Sequence, residues 1–209
     1  MITIMSRTIA KKLCGYLDKQ EEVEYVRYGL EIIIGGLWKW VCLFGAAAIL
    51  GVVPEMIGTL LTFAIFRVVT GGFHYSTYLR CLIAGLFSML AISVIVSHVF
   101  VQLNEQVLFI LIGCTFIIGL IMIYLYAPSN HFYKKMTNTH RKKLQQMAFV
   151  LLFVWVIINY NLVSIYYEIA WASTLGLLFQ LSSTHPLSYK LVSKVENLID
   201  WRSHNEKVH

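Results

Sequence analysis

The sequence predicts an all-α, polytopic integral membrane protein with six transmembrane spans. Of its 209 residues, 58% are hydrophobic and only 13% are charged, whereas a soluble domain carries roughly 25% charged residues. Apolar runs long enough to cross a bilayer as helices recur along the chain. Nearly all basic residues lie in segments that would face the same side of the membrane. An unusually apolar soluble helical domain is the alternative that this composition disfavours.

The N-terminal region, residues 1–35, is predicted to form amphipathic helices at the membrane interface. Residues 3–18 combine apolar and basic side chains at helical spacing, which is typical of a helix that lies flat on the membrane surface. An acidic cluster separates this helix from a second helical stretch at about 22–35, and we interpret the acids as a solvated helix face. The mixed, charged N-terminus lacks the pattern of a cleavable signal peptide.

The six predicted spans make up a core at residues 36–182. The third and fourth spans contain no Asp, Glu, Lys or Arg, whereas the second is short for a bilayer that needs about 20 helical residues. The spans cover about residues 36–53, 56–70, 82–101, 107–127, 145–160 and 163–182.

The last connection and the C-terminal segment complete the predicted layout. Asn159, Tyr160 and Asn161 are predicted to turn the fifth span tightly into the sixth. Residues 183–209 form a cytoplasmic segment with an amphipathic stretch at 188–202. No internal repeat or second domain is visible, so residues 1–209 are interpreted as a single membrane-embedded domain.

The distribution of Lys and Arg predicts that both termini are cytoplasmic. With this orientation the cytoplasmic side receives sixteen basic residues and the three outer turns receive none, while Lys39 lies inside the first span. The sixteen are Arg7, Lys11, Lys12, Lys19, Arg27, Arg67, Arg80, Lys134, Lys135, Arg141, Lys142, Lys143, Lys190, Lys194, Arg202 and Lys207. The predicted localisation is therefore the cell membrane, with multiple passes.

Between the second and third spans, residues 67–81 bring an arginine, two glycines, a histidine and a cysteine close together. Gly71 and Gly72 should break the helix, because adjacent glycines favour non-helical backbone. His74 and Cys81 are seven residues apart, and on one continuous helix they would be separated by about 10 Å, too far for proton transfer. A loop at the glycine pair would let the imidazole fold toward the thiol at the cytoplasmic face.

These residue types point to nucleophilic catalysis by a thiol. A thiol attacks as its thiolate, and an ordinary thiol pKa near about 8.5 leaves little thiolate at neutral pH. His74 could accept the proton, and Arg67 and Arg80 would favour the anion. The backbone N–H groups of Gly71 and Gly72 are candidate donors to an oxyanion. Arg67 could instead stabilise that charge or bind a substrate carboxylate.

Each residue of this segment also has a purely structural interpretation. The histidine could be an interfacial polar residue, the glycines a simple loop, the arginine a snorkelling anchor and the cysteine a small buried side chain. Cys14, Cys42 and Cys114 lack paired metal spacing and do not indicate a disulfide framework, so no metal and no cofactor are predicted. The net charge is +6, and the basic residues that cause it lie beside apolar spans. This position favours lipid head groups or an acidic partner over nucleic acid as the binding partner.

The central segment resembles the signature of the accessory gene regulator B (AgrB) family of membrane peptidases. The resemblance rests on Arg67, Gly71, Gly72, His74 and Cys81 at their spacing. Supporting residues lie at 28–31, which read Tyr-Gly-Leu-Glu, and at 124–128, which read Tyr-Leu-Tyr-Ala-Pro. The six-span layout is similar too, so the resemblance covers nearly the whole chain.

This resemblance implies a specific activity. Family members cleave a small AgrD-type propeptide that has an amphipathic N-terminal helix and an acidic C-terminal tail. By motif position, Cys81 would be the nucleophile and His74 the general base, and the acyl-enzyme thioester would be released by cyclisation to a thiolactone or lactone signal peptide used in quorum sensing. Similar proteins act as homodimers, so a homodimer is expected.

Further interpretations concern the basic residues after the fourth span, one acidic residue and two other functional classes of membrane protein. The basic residues Lys134, Lys135, Arg141, Lys142 and Lys143 could attract an acidic substrate tail, although positive-inside topology alone would explain them. Glu168 is an acid within the sixth span to which no role is assigned. A peptide transporter without peptidase activity would need charged residues along several spans, and a non-enzymatic scaffold would leave the motif unexplained.

Overall fold

The structure, a computed structural model, describes residues 2–16, 20–129 and 137–205. These residues are helical with short connections and contain no strand. The chain forms two compact units, Met1–Ile49 and Leu50–His209. The prediction of a single domain remains a prediction.

The described residues of the first unit form two α-helices and a 3-10 turn, Gln20–Glu22, that directly precedes the second helix. Helix α1 spans Ile2–Tyr16, and α2 spans Val23–Leu50 without a break near residue 35. The sequence predicted an interfacial helix and a separate span in this stretch, but the structure contains one helix of 28 residues. Ion pairs of Arg27 with Glu24 at 2.6 Å and with Glu31 at 2.8 Å support its N-terminal turns.

The described residues of the second unit form six α-helices, and polar N-caps begin three of them. Thr77 accepts a hydrogen bond from the N–H of Arg80 at the start of α4, and Asn104 and Thr137 cap α5 and α6 in the same way. The helices are α3 Val53–Thr70, α4 Tyr78–His98, α5 Glu105–Tyr126, α6 Asn138–Ile165, α7 Tyr167–Thr184 and α8 Pro186–Asn205.

Helix α7 is the centre of the second unit and packs against α3, α4, α5 and α6. Its Trp171 and Leu177 are fully buried. Helices α3 and α7 lie side by side and run in the same direction. Residues further along α3 contact residues further along α7. The hydroxyl groups of Thr62 and Ser173 are 2.8 Å apart, and further along, the Gln180 amide donates to the Thr70 hydroxyl at 2.9 Å. The C-terminal ends of α3 and α7 therefore meet at one end of the unit.

Small residues allow this close approach. A Cβ atom added at Gly58 would lie 2.8 Å from the carbonyl oxygen of Ile169, and one added at Gly176 would lie 2.7 Å from that of Thr59. Backbone contact of this kind is typical of helices packed within membranes. The hydrophobic effect does not drive helices together in lipid, and small residues allow the close van der Waals packing that does.

Within the part of the chain that the structure describes, five segments are long and apolar enough to cross a membrane: Gln20–Leu50, Val53–Thr70, Tyr78–Gln102, Glu105–Tyr126 and Asn138–Ile165. The chain is thus a multi-pass membrane protein of the all-α class. The sixth predicted span corresponds to α7, which is not among these segments. Its polar side chains, including Ser173, Thr174 and Gln180, lower its hydropathy but are buried against neighbouring helices.

The predicted turn at Asn159, Tyr160 and Asn161 is wrong. These residues lie inside α6, which continues to Ile165. Asn159 is fully buried, and its amide nitrogen donates to the Ala170 carbonyl at 3.3 Å and to the Thr174 hydroxyl at 2.7 Å. Because α7 supplies these acceptors, the asparagine is accommodated within a helix instead of ending one.

Candidate active site

The helix break between α3 and α4 needs glycine at two successive positions. Helix α3 ends at Thr70, and Gly71 and Gly72 have φ angles of +70° and +139°. Both are buried, and neither has room for a side chain. A Cβ at Gly71 would lie 2.5 Å from the Ser129 hydroxyl oxygen, and one at Gly72 would lie 1.9 Å from Nη1 of Arg67. The predicted break at the glycine pair is confirmed.

Arg67, in the last turn of α3, holds the loop that follows. Its Nη1 donates to the Ser183 hydroxyl at 3.0 Å and to the Gly71 carbonyl at 3.3 Å, and its Nη2 donates to the Phe73 carbonyl. The guanidinium also lies over the Phe63 ring at 5.7 Å from the centroid. The side chain therefore folds inward onto the loop, which a snorkelling anchor would not do.

Two polar residues of α7, Gln180 and Ser183, complete this network. Neither was predicted from the sequence to be a site residue. Gln180 donates to the Gly71 carbonyl at 2.7 Å, and the Ser183 carbonyl accepts from the N–H of Phe73 at 3.1 Å. Both are buried. The available signal was the run of polar residues at the end of an otherwise apolar span, but a single sequence does not show which loop such residues contact.

The end of α5 also meets the glycine pair. The N–H of Ser129 donates to the carbonyl of Thr70 at 2.9 Å, and its hydroxyl reaches the same oxygen at 3.3 Å. The Tyr-Ala-Pro sequence at 126–128 is therefore followed directly by a residue that contacts the end of α3.

His74 and Cys81 lie on different local structures, and Arg67 contacts the first of them. His74 is exposed on the non-helical segment 71–77, and Cys81 is half-buried in the first turn of α4. Nη2 of Arg67 is 3.4 Å from Nε2 of His74. Burial raises the pKa of the Tyr75 phenol, and the negative charge of Glu196 raises it further.

The backbone N–H of Gly71 and the side chain of Arg80 are both bonded within the chain. The N–H of Gly71 donates to the Arg67 carbonyl at 3.0 Å, so this group is already used within the chain. Arg80 is bonded to Asp200 and lies 3.9 Å from Glu196, so carboxylates on α8 compensate its charge. The Arg80 guanidinium holds the pKa of the Asp200 carboxyl below its usual range. Arg80 is therefore bonded to α8, whereas Arg67 contacts the loop that carries His74.

The basic residues predicted to bind a substrate tail are only partly described. Lys134 and Lys135 lie outside the described residues, whereas Arg141, Lys142 and Lys143 are exposed in the first turns of α6. This end of α6 adjoins the C-terminal end of α5, because the Gln145 side chain donates to the Ile123 carbonyl at 3.0 Å. The three residues therefore lie toward the same end of the unit as Ser129 and Thr70.

Two further points concern charged and metal-ligating side chains. Glu168 is exposed in the first turn of α7, at the end of the unit away from Ser183. Among the residues that the structure describes, no group of three His, Cys, Asp or Glu side chains lies close enough together to hold a metal ion.

Comparison with known proteins places this arrangement in a family. Residues 6–184 match the model of accessory gene regulator B, AgrB. The chain belongs to the AgrB family. The match contains every predicted catalytic residue and both polar residues of α7, and the resemblance found in the sequence is confirmed. Family membership supports a role in accessory gene regulation.

Individual relatives agree with this assignment. The chain is 27% identical over 178 residues to an AgrB-like protein of Listeria innocua, covering 85% of this chain and 83% of that protein. It is 23% identical over 175 residues to one from Clostridium perfringens, covering 82% of each chain. An AgrB-like protein of Listeria monocytogenes is also 27% identical over 178 residues, covering 85% and 83% respectively. No solved structure matches this chain.

Proposed function

We propose that this AgrB-family protein is a membrane cysteine endopeptidase that removes the C-terminal tail of an AgrD-type propeptide. Cys81 is the nucleophile and His74 the general base. The observation that carries the proposal is the position of Arg67, whose guanidinium donates to the Phe73 carbonyl and lies 3.4 Å from the His74 ring, so that it holds the loop leading to the helix that carries Cys81. The thiolate is the attacking species, and His74 is the base that would form it.

The reaction has two acyl-transfer steps. His74 takes the thiol proton, and the Cys81 sulfur attacks the peptide carbonyl at the end of the future signal. The carbon–nitrogen bond then breaks, the proton passes from His74 to the leaving amine, and a thioester remains on the enzyme. A thiol or hydroxyl of the bound peptide gives its proton to His74 and attacks this thioester. The carbon–sulfur bond to Cys81 then breaks and the proton passes to the Cys81 sulfur, so that a thiolactone or lactone ring forms and Cys81 is regenerated. The second step needs no ATP if water is kept away from the thioester.

The same proposal includes six transmembrane spans, with α7 as the sixth. Support comes from the parallel course of α3 and α7, since a helix that runs beside a span over its whole length crosses the same layer. An even number of spans leaves both termini on the side that holds most of the Lys and Arg residues, the cytoplasm. The site would then face the reducing cytosol, where Cys81 stays a free thiol.

The proposed substrate determines the remaining roles. Arg141, Lys142 and Lys143 would attract an acidic propeptide tail along the membrane surface, together with Lys134 and Lys135. Membrane lipid would align the amphipathic part of the substrate at the depth of the site. The protein would act as a homodimer, which cross-linking of the full-length chain in membranes would detect.

Mass spectrometry of the acyl-enzyme tests the proposal. Purified full-length protein in lipid vesicles is mixed with an AgrD-type propeptide, and the products and any adduct on Cys81 are identified. We expect a thioester on Cys81 and release of the tail, both abolished by Cys81→Ala. Cys114→Ala is the matched control, because Cys114 is exposed on α5 and should have no effect. Continued cleavage by Cys81→Ala, or peptide movement across the vesicle membrane without cleavage, would refute the proposal and favour a transporter.

A further inference from the structure

We propose that α8 braces the candidate active-site loop and that Glu196 is a positioning residue for the reaction. The positioning role rests on the proposed function, because it assumes that His74 and Cys81 react. The brace itself is a property of the fold. The residues matching the AgrB model end at 184, and α8 begins at Pro186, so the brace lies outside the matched region.

The first contact of the brace joins Glu196 to the end of the loop. Oε1 of Glu196 accepts hydrogen bonds from the N–H of Ser76 at 2.6 Å and from its hydroxyl at 2.7 Å. Ser76 follows His74 by two residues and immediately precedes Thr77, the N-cap of α4. A single carboxylate oxygen therefore fixes the point at which the loop carrying the histidine becomes the helix carrying Cys81. Ionised acceptors make the stronger hydrogen bonds of this kind.

The second contact adds charge pairing one helical turn further along α8. Asp200 is four residues after Glu196, so both carboxylates lie on the same face of α8. This face meets Arg80, which is bonded to Asp200 and lies 3.9 Å from Glu196. Arg80 immediately precedes Cys81 in the first turn of α4. The Glu196 side chain is only 17% exposed, so its interactions are partly shielded from water.

The third contact anchors the beginning of α8. The hydroxyl of Ser188 donates to the carbonyl of Ser182 at the end of α7 at 2.5 Å. The Tyr189 ring packs edge-on against the Phe73 ring, with centroids 6.4 Å apart. Helix α8 is thus attached both to α7 and to the start of α4, and the loop lies between these two attachments. The loop is held by Arg67 and α7 on one side and by α8 on the other.

This arrangement assigns Glu196 a role that differs from those of the reacting residues. It does not contact a substrate atom, and its removal leaves the thiol, the imidazole and Arg67 in the chain. Its loss would let the segment around Ser76 sample other conformations, so that the imidazole and the thiol would be aligned for a smaller fraction of the time. The rate of the chemical step would fall, whereas substrate binding at distant surfaces would not change.

Two substitutions of Glu196 in the full-length protein separate hydrogen bonding from charge. Glu196→Ala removes the acceptor, whereas Glu196→Gln keeps an acceptor oxygen and loses the charge. Asn197→Ala is the matched control, because Asn197 is the next residue on α8 and is exposed. Each variant is placed in lipid vesicles, and amide hydrogen exchange of residues 73–81 is measured together with kcat and KM for propeptide cleavage.

The expected results follow from the contacts. In Glu196→Ala the segment around Ser76 exchanges at least about tenfold faster, as expected for the loss of hydrogen bonds to a charged group. Its kcat falls about tenfold while KM stays within about twofold. Glu196→Gln recovers most of both effects, and Asn197→Ala matches the parent protein. A merely structural role would not give this kcat-against-KM split with rescue by glutamine.

Other outcomes overturn the inference. Unchanged exchange in Glu196→Ala would remove the brace, and faster exchange with unchanged kcat would remove the positioning role. A drop in kcat that glutamine does not rescue would mean that charge, and not hydrogen bonding to Ser76, is what matters. Hydrogen exchange needs no substrate. It therefore decides on the brace even if the parent protein cleaves no propeptide, a result that would count against the proposed function alone.

Discussion

Replacing Gly72 with alanine would disrupt the Arg67 network directly. The new Cβ atom would lie 1.9 Å from Nη1 of Arg67 and 2.4 Å from the Ser183 hydroxyl oxygen, whereas ordinary contacts begin at 3.4 Å. The guanidinium would therefore have to move by about 1.5 Å. Its hydrogen bond to Ser183 and its contact with His74, at 3.0 Å and 3.4 Å, cannot both survive such a displacement.

Two costs combine in this variant. A non-glycine residue at φ +139° is strained by about 1–3 kcal/mol. Loss of hydrogen bonds from a charged group adds about 1.5–3 kcal/mol. For the reaction, a misplacement of about 1 Å can lower the rate by about 100-fold. We therefore expect kcat/KM for propeptide cleavage to fall by at least about 100-fold, with a lower thermal unfolding temperature.

Gly51→Ala is the matched control for backbone strain. Gly51 also has a positive φ, +72°, but a Cβ added there meets nothing within 4 Å. It should lower stability slightly and leave cleavage unchanged. Both variants are assayed in vesicles with the same propeptide, and their folding is checked by thermal unfolding. Cleavage by Gly72→Ala within about threefold of the parent rate would refute the view that Arg67 must occupy its observed position.

Three further predictions concern packing, loop positioning and pH. Gly176→Ala should destabilise the protein by about 1–3 kcal/mol, because its Cβ would lie 2.7 Å from the backbone of α3. Gly113→Ala is the control and should not destabilise the protein in this way, because a Cβ there meets nothing within 4 Å. Thermal unfolding in detergent would compare the two variants. Gln180→Leu keeps the side-chain size but removes two hydrogen bonds to the end of α3, so kcat should fall about tenfold, and an unchanged kcat would contradict this role. Asp200 has a lowered pKa because of its hydrogen bond with Arg80; its ionised form therefore favours the folded state above the ordinary carboxyl range, and this contribution is lost as pH falls through the folded-state pKa. The protection of α8 amides against hydrogen exchange, taken relative to the intrinsic rate at each pH, should accordingly fall at acidic pH in the parent protein, with a weaker pH dependence in Asp200→Asn.

The predicted spans were most accurate where the sequence is apolar on all sides. The predictions at 82–101 and 107–127 correspond to α4 and α5 within a few residues at each end. Long runs without charge have few alternatives to a membrane helix, because backbone groups in lipid must bond internally. The end of α6 was misplaced because Asn159 is a frequent turn residue whose polar group here bonds to α7.

The site was predictable only in its local part. The glycine break and the cluster of residues at 67–81 are visible in one continuous segment. Gln180 and Glu196 were not found, because each contacts this segment from more than 100 positions away in the chain. Arg80 was assigned to Cys81 as its neighbour in sequence, whereas the folded chain pairs it with carboxylates of α8.

The sequence by itself determined that this protein is a helical membrane protein. It also determined where a helix is interrupted, next to a histidine and a cysteine. Those properties follow from hydropathy and from the backbone freedom of paired glycines, which are local. Only the tertiary structure decided that Arg67 turns inward onto the loop, that the polar helix α7 is central, and that α8 is attached to the start of α4. Each of these three features depends on hydrogen-bond partners and packing space that are supplied by helices distant in sequence. Which helices contact one another is decided by the whole folded chain.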